Sequence, residues 1–168
     1  MATIPDLPYV DPASLDFTQC IADIHKIREI NPHRHEVEML TAVTHINEKE
    51  RFIAGYKDAK ETDFWVRGHM PGFPLMPGVM MIEAAAQLCG FYLKYMGVIQ
   101  NGTLGLAGVE MAKFKRMVRP GDRLILIGHG LKVDRRLSKV YVVGYVDNEE
   151  AFRAIVVGAP LKLELPGA

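Results

Sequence analysis

Residues 68–95 read GHMPGFPLMPGVMMIEAAAQLCGFYLKY, and the second half of that stretch decides the fold. Positions 79–93 are apolar all the way round a helical projection rather than along one stripe, which predicts a helix enclosed by other structure. Only Glu83 and Gln87 interrupt its middle. Four residues apart, they lie one above the other on a single face. A carboxylate is costly to bury without a partner, so a helix that keeps Glu83 at its centre marks a candidate site. Just upstream, His69 precedes a loop punctuated by Pro71, Pro74 and Pro77, which restricts the backbone between the imidazole and the helix start. The chain thus brings a base, an acid and a helix N-terminus into one neighbourhood.

Working outward toward the N-terminus, residues 18–29 carry Ile21, Ile24 and Ile27 with charges between them and predict a modest amphipathic helix, ended by Asn31 and Pro32. His33, Arg34 and His35 follow as a cation-rich turn. The two histidines have no further ligand-type residues at metal-site spacing and read as polar turn residues rather than a metal centre. Residues 36–46 and 51–56 predict two strands joined by a turn at Asn47-Glu48-Lys49-Glu50, and residues 64–66 a short third one. Beyond the helix, residues 104–118, 124–133, 139–146 and 152–165 predict long strands separated by compact turns. Those connections leave no room for crossover helices, so the pairing is expected to be antiparallel and hairpin-like. The expected fold class is α+β: an antiparallel sheet wrapped around one long helix, with a second copy of the chain covering what the sheet leaves bare.

Composition narrows the function classes. In 168 residues, 49% hydrophobic and 24% charged, the expectation is one globular domain with a real core. A formal net charge of zero gives no support for wholesale binding to nucleic acid or an anionic membrane. Cys20 and Cys89 have no metal-ligand spacing and suit a reducing compartment. Residues 1–17, with Pro5, Pro8 and Pro12, read as an extended arm rather than a signal peptide, leaving residues 18–168 as the single domain. A cytoplasmic protein with no metal and no cofactor is expected.

The string from His69 through Met70-Pro71-Gly72-Phe73-Pro74-Leu75-Met76-Pro77-Gly78-Val79, followed by Ile82-Glu83-Ala84 and Ala86-Gln87, closely resembles the active-site signature of the β-hydroxyacyl-acyl-carrier-protein dehydratases of fatty acid synthesis. Asn31-Pro32-His33-Arg34 is similar to that family's turn after its N-terminal helix, and Leu106-Ala107-Gly108-Val109 through Arg116, with Pro120-Gly121-Asp122, to its later strand and turn. The resemblance implies a hotdog fold, in which a curved antiparallel sheet wraps a central helix. It also implies a catalytic pair of a histidine and an acid fourteen residues later, positions filled here by His69 and Glu83. Glutamate at the second position favours dehydration alone over dehydration with isomerisation. Two departures, Met70 after the histidine and the acids Glu36 and Glu38 in a segment that is more apolar in the family, bear on chain length and carrier rather than chemistry.

The chemistry expected of such a site is loss of water from a β-hydroxyacyl thioester. Histidine titrates near neutrality and suits removal of the α-proton, while burial of a carboxyl favours the protonated form that an acid needs. The backbone N–H of Gly78, at the helix start, is expected to meet charge developing on the thioester oxygen. Gln87 is expected in a supporting role to Glu83, and Met76, Pro77 and Met80 along the acyl channel. The resemblance further implies an acyl carrier protein as partner; Lys113, Lys115, Arg116 and Arg119 read first as a solvated strand face, and the resemblance adds the alternative that they help receive that carrier. It also implies a homodimer whose sites combine the histidine of one subunit with the acid of the other, and in some relatives a trimer of dimers. Two competing readings are an acyl-thioester hydrolase of the same fold and a non-catalytic acyl-binding subunit.

Overall fold

A computed structural model describes Leu7 and residues 10–161. Six strands form one sheet: β1 (Ala42–Asn47), β2 (Phe52–Asp58), β3 (Thr103–Phe114), β4 (Arg123–Lys132), β5 (Ser138–Val146) and β6 (Glu149–Leu161). Their spatial order is β1-β2-β4-β5-β6-β3, and every neighbouring pair is antiparallel. Helix α1 spans Ile24–Ile30 and the long helix α2 spans Gly78–Tyr95. Helix α2 lies on one face of the sheet, touching β2 through β6, and its run from Met81 to Leu93 is buried apart from Glu83 and Ala86.

Period-two alternation sorts the strand residues between two faces. Ile53, Leu124, Leu126, Val140, Val142, Phe152, Ala154 and Val156 join α2 in the main core, while Phe52, Ala54, Ile127 and Tyr145 form a cluster on the opposite face. Val10 and Leu15 pack over that second cluster, and Leu7 over a third around Tyr141, Ile155 and Val157. The described part of the proposed arm therefore covers the outer face of the sheet, and residues 1–6 and 8–9 lie outside the described residues.

The differences from expectation have local causes. Helix α1 starts only at Ile24, where the Asp23 side chain accepts from the Lys26 N–H at 2.9 Å. The residues before it run along the free side of β1 instead, with the Ile21 and Ala22 N–H groups donating to the Val43 carbonyl. Residues 36–41 are not strand, because the polar groups at Val37 and Met39 bond to a helix side chain rather than to a neighbouring strand. Residues 64–66 form a turn: Asp63 accepts from Lys57 and from the Lys60 N–H, and the His69 N–H donates to the Trp65 carbonyl, so local bonds take the groups a ladder would need. Strand β3 makes no hairpin with β4. It crosses to the far edge beside β6, a partner choice that turn residues do not encode.

Gly55 shows how closely sheet and helix approach. A Cβ at this position would sit 2.6 Å from the Ala42 carbonyl oxygen and 3.1 Å from Leu88 Cδ1, so backbone as well as side chain stands in its way. The Gly55→Ala variant is expected to lose roughly 1–3 kcal/mol through forced displacement of β1, read as a fall of several degrees in Tm by calorimetry. An unchanged Tm would mean that the edge strand yields freely.

Candidate active site

His69 stands at the end of a series of turns over residues 61–69 and before a tight loop in which Met70 and Phe73 exchange backbone hydrogen bonds, with Gly72 at φ 80°. Its ring is held by one contact: Nδ1 lies 2.9 Å from the Leu75 carbonyl oxygen, while the Leu75 N–H donates back to the His69 carbonyl. A carbonyl can only accept, so Nδ1 carries the proton and the neutral ring keeps its lone pair on Nε2. His69 is half-buried, and its free nitrogen is the one suited to take a proton from a bound molecule.

Glu83 is held from the other side of its helix turn. Gln87 Nε2 donates to Glu83 Oε1 at 2.8 Å and also to the Val37 carbonyl at 2.7 Å, while Gln87 Oε1 accepts from the Met39 N–H at 2.9 Å. The backbone carbonyl of Gln87 accepts from Asn31 Nδ2 at 3.0 Å. One buried residue thus stitches the segment after α1 onto α2 and orients the carboxyl. Because Oε1 already faces a donor, the proton of the acid form belongs on Oε2. The carboxyl is not sealed in: its side chain is 31% exposed. It opens into a cavity of about 80 Å³ lined by His33, Ala86, Gln87, Leu104, Leu106 and Val156. His33 Nε2 stands 3.4 Å from Glu83 Oε1, a neighbour that a reading of His33 as a polar turn residue missed. The available signal was its place in the Asn31-Pro32-His33-Arg34 motif.

Gly78 begins α2 after Pro77, whose cap position supplies no side-chain hydrogen bond. Among the described residues the Gly78 N–H has no hydrogen-bond partner, as the first amides of a helix do not. A Cβ on Gly78 would lie 2.9 Å from the Phe114 ring, so a larger residue would have to displace that exposed side chain. Here a second cavity, about 360 Å³, is lined by Gly78 together with Leu75, Met76, Met81, Phe114, Lys115, Arg116 and Met117. Of the residues expected along the acyl channel, Met76 lines this cavity while otherwise wholly buried; Pro77 and Met80 are not among its lining residues.

Within one chain, His69 and Glu83 are not brought together: the imidazole is held by Leu75, and the carboxyl faces Gln87 and His33. Among the described residues no group of His, Cys, Asp and Glu could hold a metal ion, and no helix is long and apolar enough to cross a membrane.

An antiparallel sheet over one enclosed helix, with a histidine before that helix and a carboxyl inside it, fits the hotdog fold. Residues 31–155 match the FabA-like domain, and the chain belongs to that family. It is 35% identical over 144 residues to the 3-hydroxyacyl-[acyl-carrier-protein] dehydratase FabZ of a Hydrogenobaculum species, covering 84% of this chain and 97% of the relative. To the enzyme of the same name from Thermus thermophilus it is 41% identical over 129 residues, 76% of this chain and 89% of the relative. Among solved structures, the dehydratase heterocomplex ApeI:P from Xenorhabdus doucetiae superposes with a TM-score of 0.65 at 14% identity, over 80% of this chain and 90% of that one. The thioesterase HI1161 from Haemophilus influenzae does so with 0.55 at 12%, over 76% and 82%. At such identities these two show the shared fold alone.

Replacing Gln87 by leucine, of similar volume, strands the buried Met39 N–H and leaves the part-buried Val37 carbonyl without its partner. The expected cost is about 2–5 kcal/mol, measured as a lowered midpoint of urea unfolding; a midpoint equal to that of the parent protein would show that the amide network contributes nothing.

Proposed function

We propose that the protein converts 3-hydroxyacyl thioesters, carried on an acyl carrier protein, to trans-2-enoyl thioesters in fatty acid or related acyl-chain biosynthesis, as a cytoplasmic enzyme. The observation that carries this reading is the Leu75 carbonyl on His69 Nδ1, which leaves Nε2 as the free basic nitrogen. In the reaction, Nε2 takes the proton from C2 and the C–H electron pair becomes the C2–C3 double bond. The C3–O bond breaks as Glu83 Oε2 gives its proton to the departing hydroxyl, which leaves as water. Charge that gathers on the thioester oxygen is met by the Gly78 N–H and the positive end of α2, and the neighbouring 360 Å³ apolar cavity has room for acyl carbons. Exchange of one proton each with solvent restores imidazole and acid.

The reading requires two copies. Strand β3 is a twelve-residue edge strand with Leu106, Val109 and Phe114 exposed along it, the kind of edge that proteins pair or cover. Leu104 and Leu106 of that strand also line the Glu83 cavity, which supports a dimer in which His69 of a second copy reaches the acid across this edge. Further assembly into a trimer of dimers is compatible with it. For an acidic carrier, Lys115 and Arg116 are already paired with Glu150, Asp147 and Glu149. That leaves exposed Lys113, and Arg119 stacked 4.2 Å over the Phe73 ring, as the cations open to a partner.

With a 3-hydroxyacyl carrier thioester as substrate, the enoyl chromophore is expected to appear without release of free thiol; thiol release instead would identify a hydrolase. His69→Ala and Glu83→Gln are each expected to lower turnover by roughly a hundred- to ten-thousand-fold. Mixing the two variants should restore part of the activity, since one composite site in each heterodimer has both groups intact. No recovery in verified heterodimers would mean that each chain builds its own site.

A further inference from the structure

His33 lies outside the pair assigned to the reaction, yet the turn that carries it is unusually well built. Asn31 Nδ2 ties the turn to the Gln87 carbonyl at 3.0 Å, and Arg34 folds back to donate to the Asn31, His33 and Arg28 carbonyls at 2.9, 2.6 and 2.8 Å. With its backbone held on both sides, the imidazole faces Glu83, Nε2 standing 3.4 Å from Oε1, while Nδ1 is buried without a hydrogen-bond partner. Oε1 accepts from Gln87 and stands within ion-pair reach of Nε2, so the neutral tautomer that suits this contact carries its proton on Nε2 and leaves Nδ1 as a bare lone pair. We propose that His33 is a positioning residue for the Glu83 acid: its Nε2–H joins the Gln87 amide over Oε1, so that Oε2 alone is left to hold and deliver the proton. The inference rests on the dehydration reading above.

The surroundings favour the neutral ring that this role needs. Burial lowers the pKa of His33, the nearby Glu83 charge opposes that shift, and Arg34 and Glu38 act in opposite directions. Glu83 faces it from α2 and Arg34 and Glu38 come from its own segment, while β3 and β6 contribute only Leu104, Leu106 and Val156 to the shared cavity.

The test uses the full-length protein. His33→Leu is expected to lower kcat roughly 10- to 100-fold with KM little changed, and His33→Gln, whose amide can again donate to Oε1, to regain most of the loss. Independently of turnover, the NMR titration of the His33 ring is expected to move to lower pH in Glu83→Gln, because the carboxylate that favours the imidazolium is gone, with the His129 titration unmoved. Full kcat in His33→Leu, loss no better repaired by glutamine than by leucine, or an unmoved His33 titration in Glu83→Gln would each overturn the proposal. Absence of turnover in the parent protein would instead overturn the dehydration reading, and with it any part for His33 in that reaction, a result distinct from turnover that ignores His33.

Discussion

The side-chain amide of Gln87 is the point on which the site depends. Helix α2 is buried against sheet and loops along most of its length, and burial of that kind tolerates a polar group only when its hydrogen bonds are met. Gln87 meets its own by taking the groups that residues 37–39 would otherwise give to a strand. The same amide reaches Glu83, so the element that closes the core also orients the acid. The segment after α1 is consequently part of the wall around Glu83 rather than a loose connection.

The placement of β3 has a similar double effect. By crossing to the far edge beside β6, it puts apolar side chains on an unpaired strand and simultaneously lines the cavity into which Glu83 opens. At the other end of α2, the Phe114 ring from this strand closes on Gly78, where the helix begins without a side-chain cap. One strand therefore borders both Glu83 and the Gly78 end of the helix.

Much of this was legible in the sequence because it is written in local pattern. The apolar run that predicts residues 79–93 as helix matches Gly78–Tyr95 closely, and the four-residue spacing of Glu83 and Gln87 translates into a 2.8 Å hydrogen bond. The turn Asp147-Asn148 has both residues at positive φ, 50° and 63°, as a tight hairpin between β5 and β6 requires. What was not legible depends on partners distant in the chain. Residues 36–41 read as strand by composition, but their hydrogen bonds go to a side chain some fifty positions away. The position of β3 follows from which edges remain after the other strands pair, and no turn residue records that. His33 was passed over for the same reason: its neighbour Glu83 becomes visible only once α2 and the turn are joined.

The unequal treatment of the two carboxyl oxygens of Glu83 carries a stereochemical consequence. With Oε1 occupied, a proton can leave this group from one corner only, and the imidazole offers a single nitrogen to receive another. If the Gly78 amide holds the thioester carbonyl as proposed, a substrate meets three different groups from one side of their plane, and a molecule and its mirror image cannot both satisfy them. A molecule with a chiral alcohol carbon would thus be processed as one hand, and in the reverse direction water would be added to one face of the double bond.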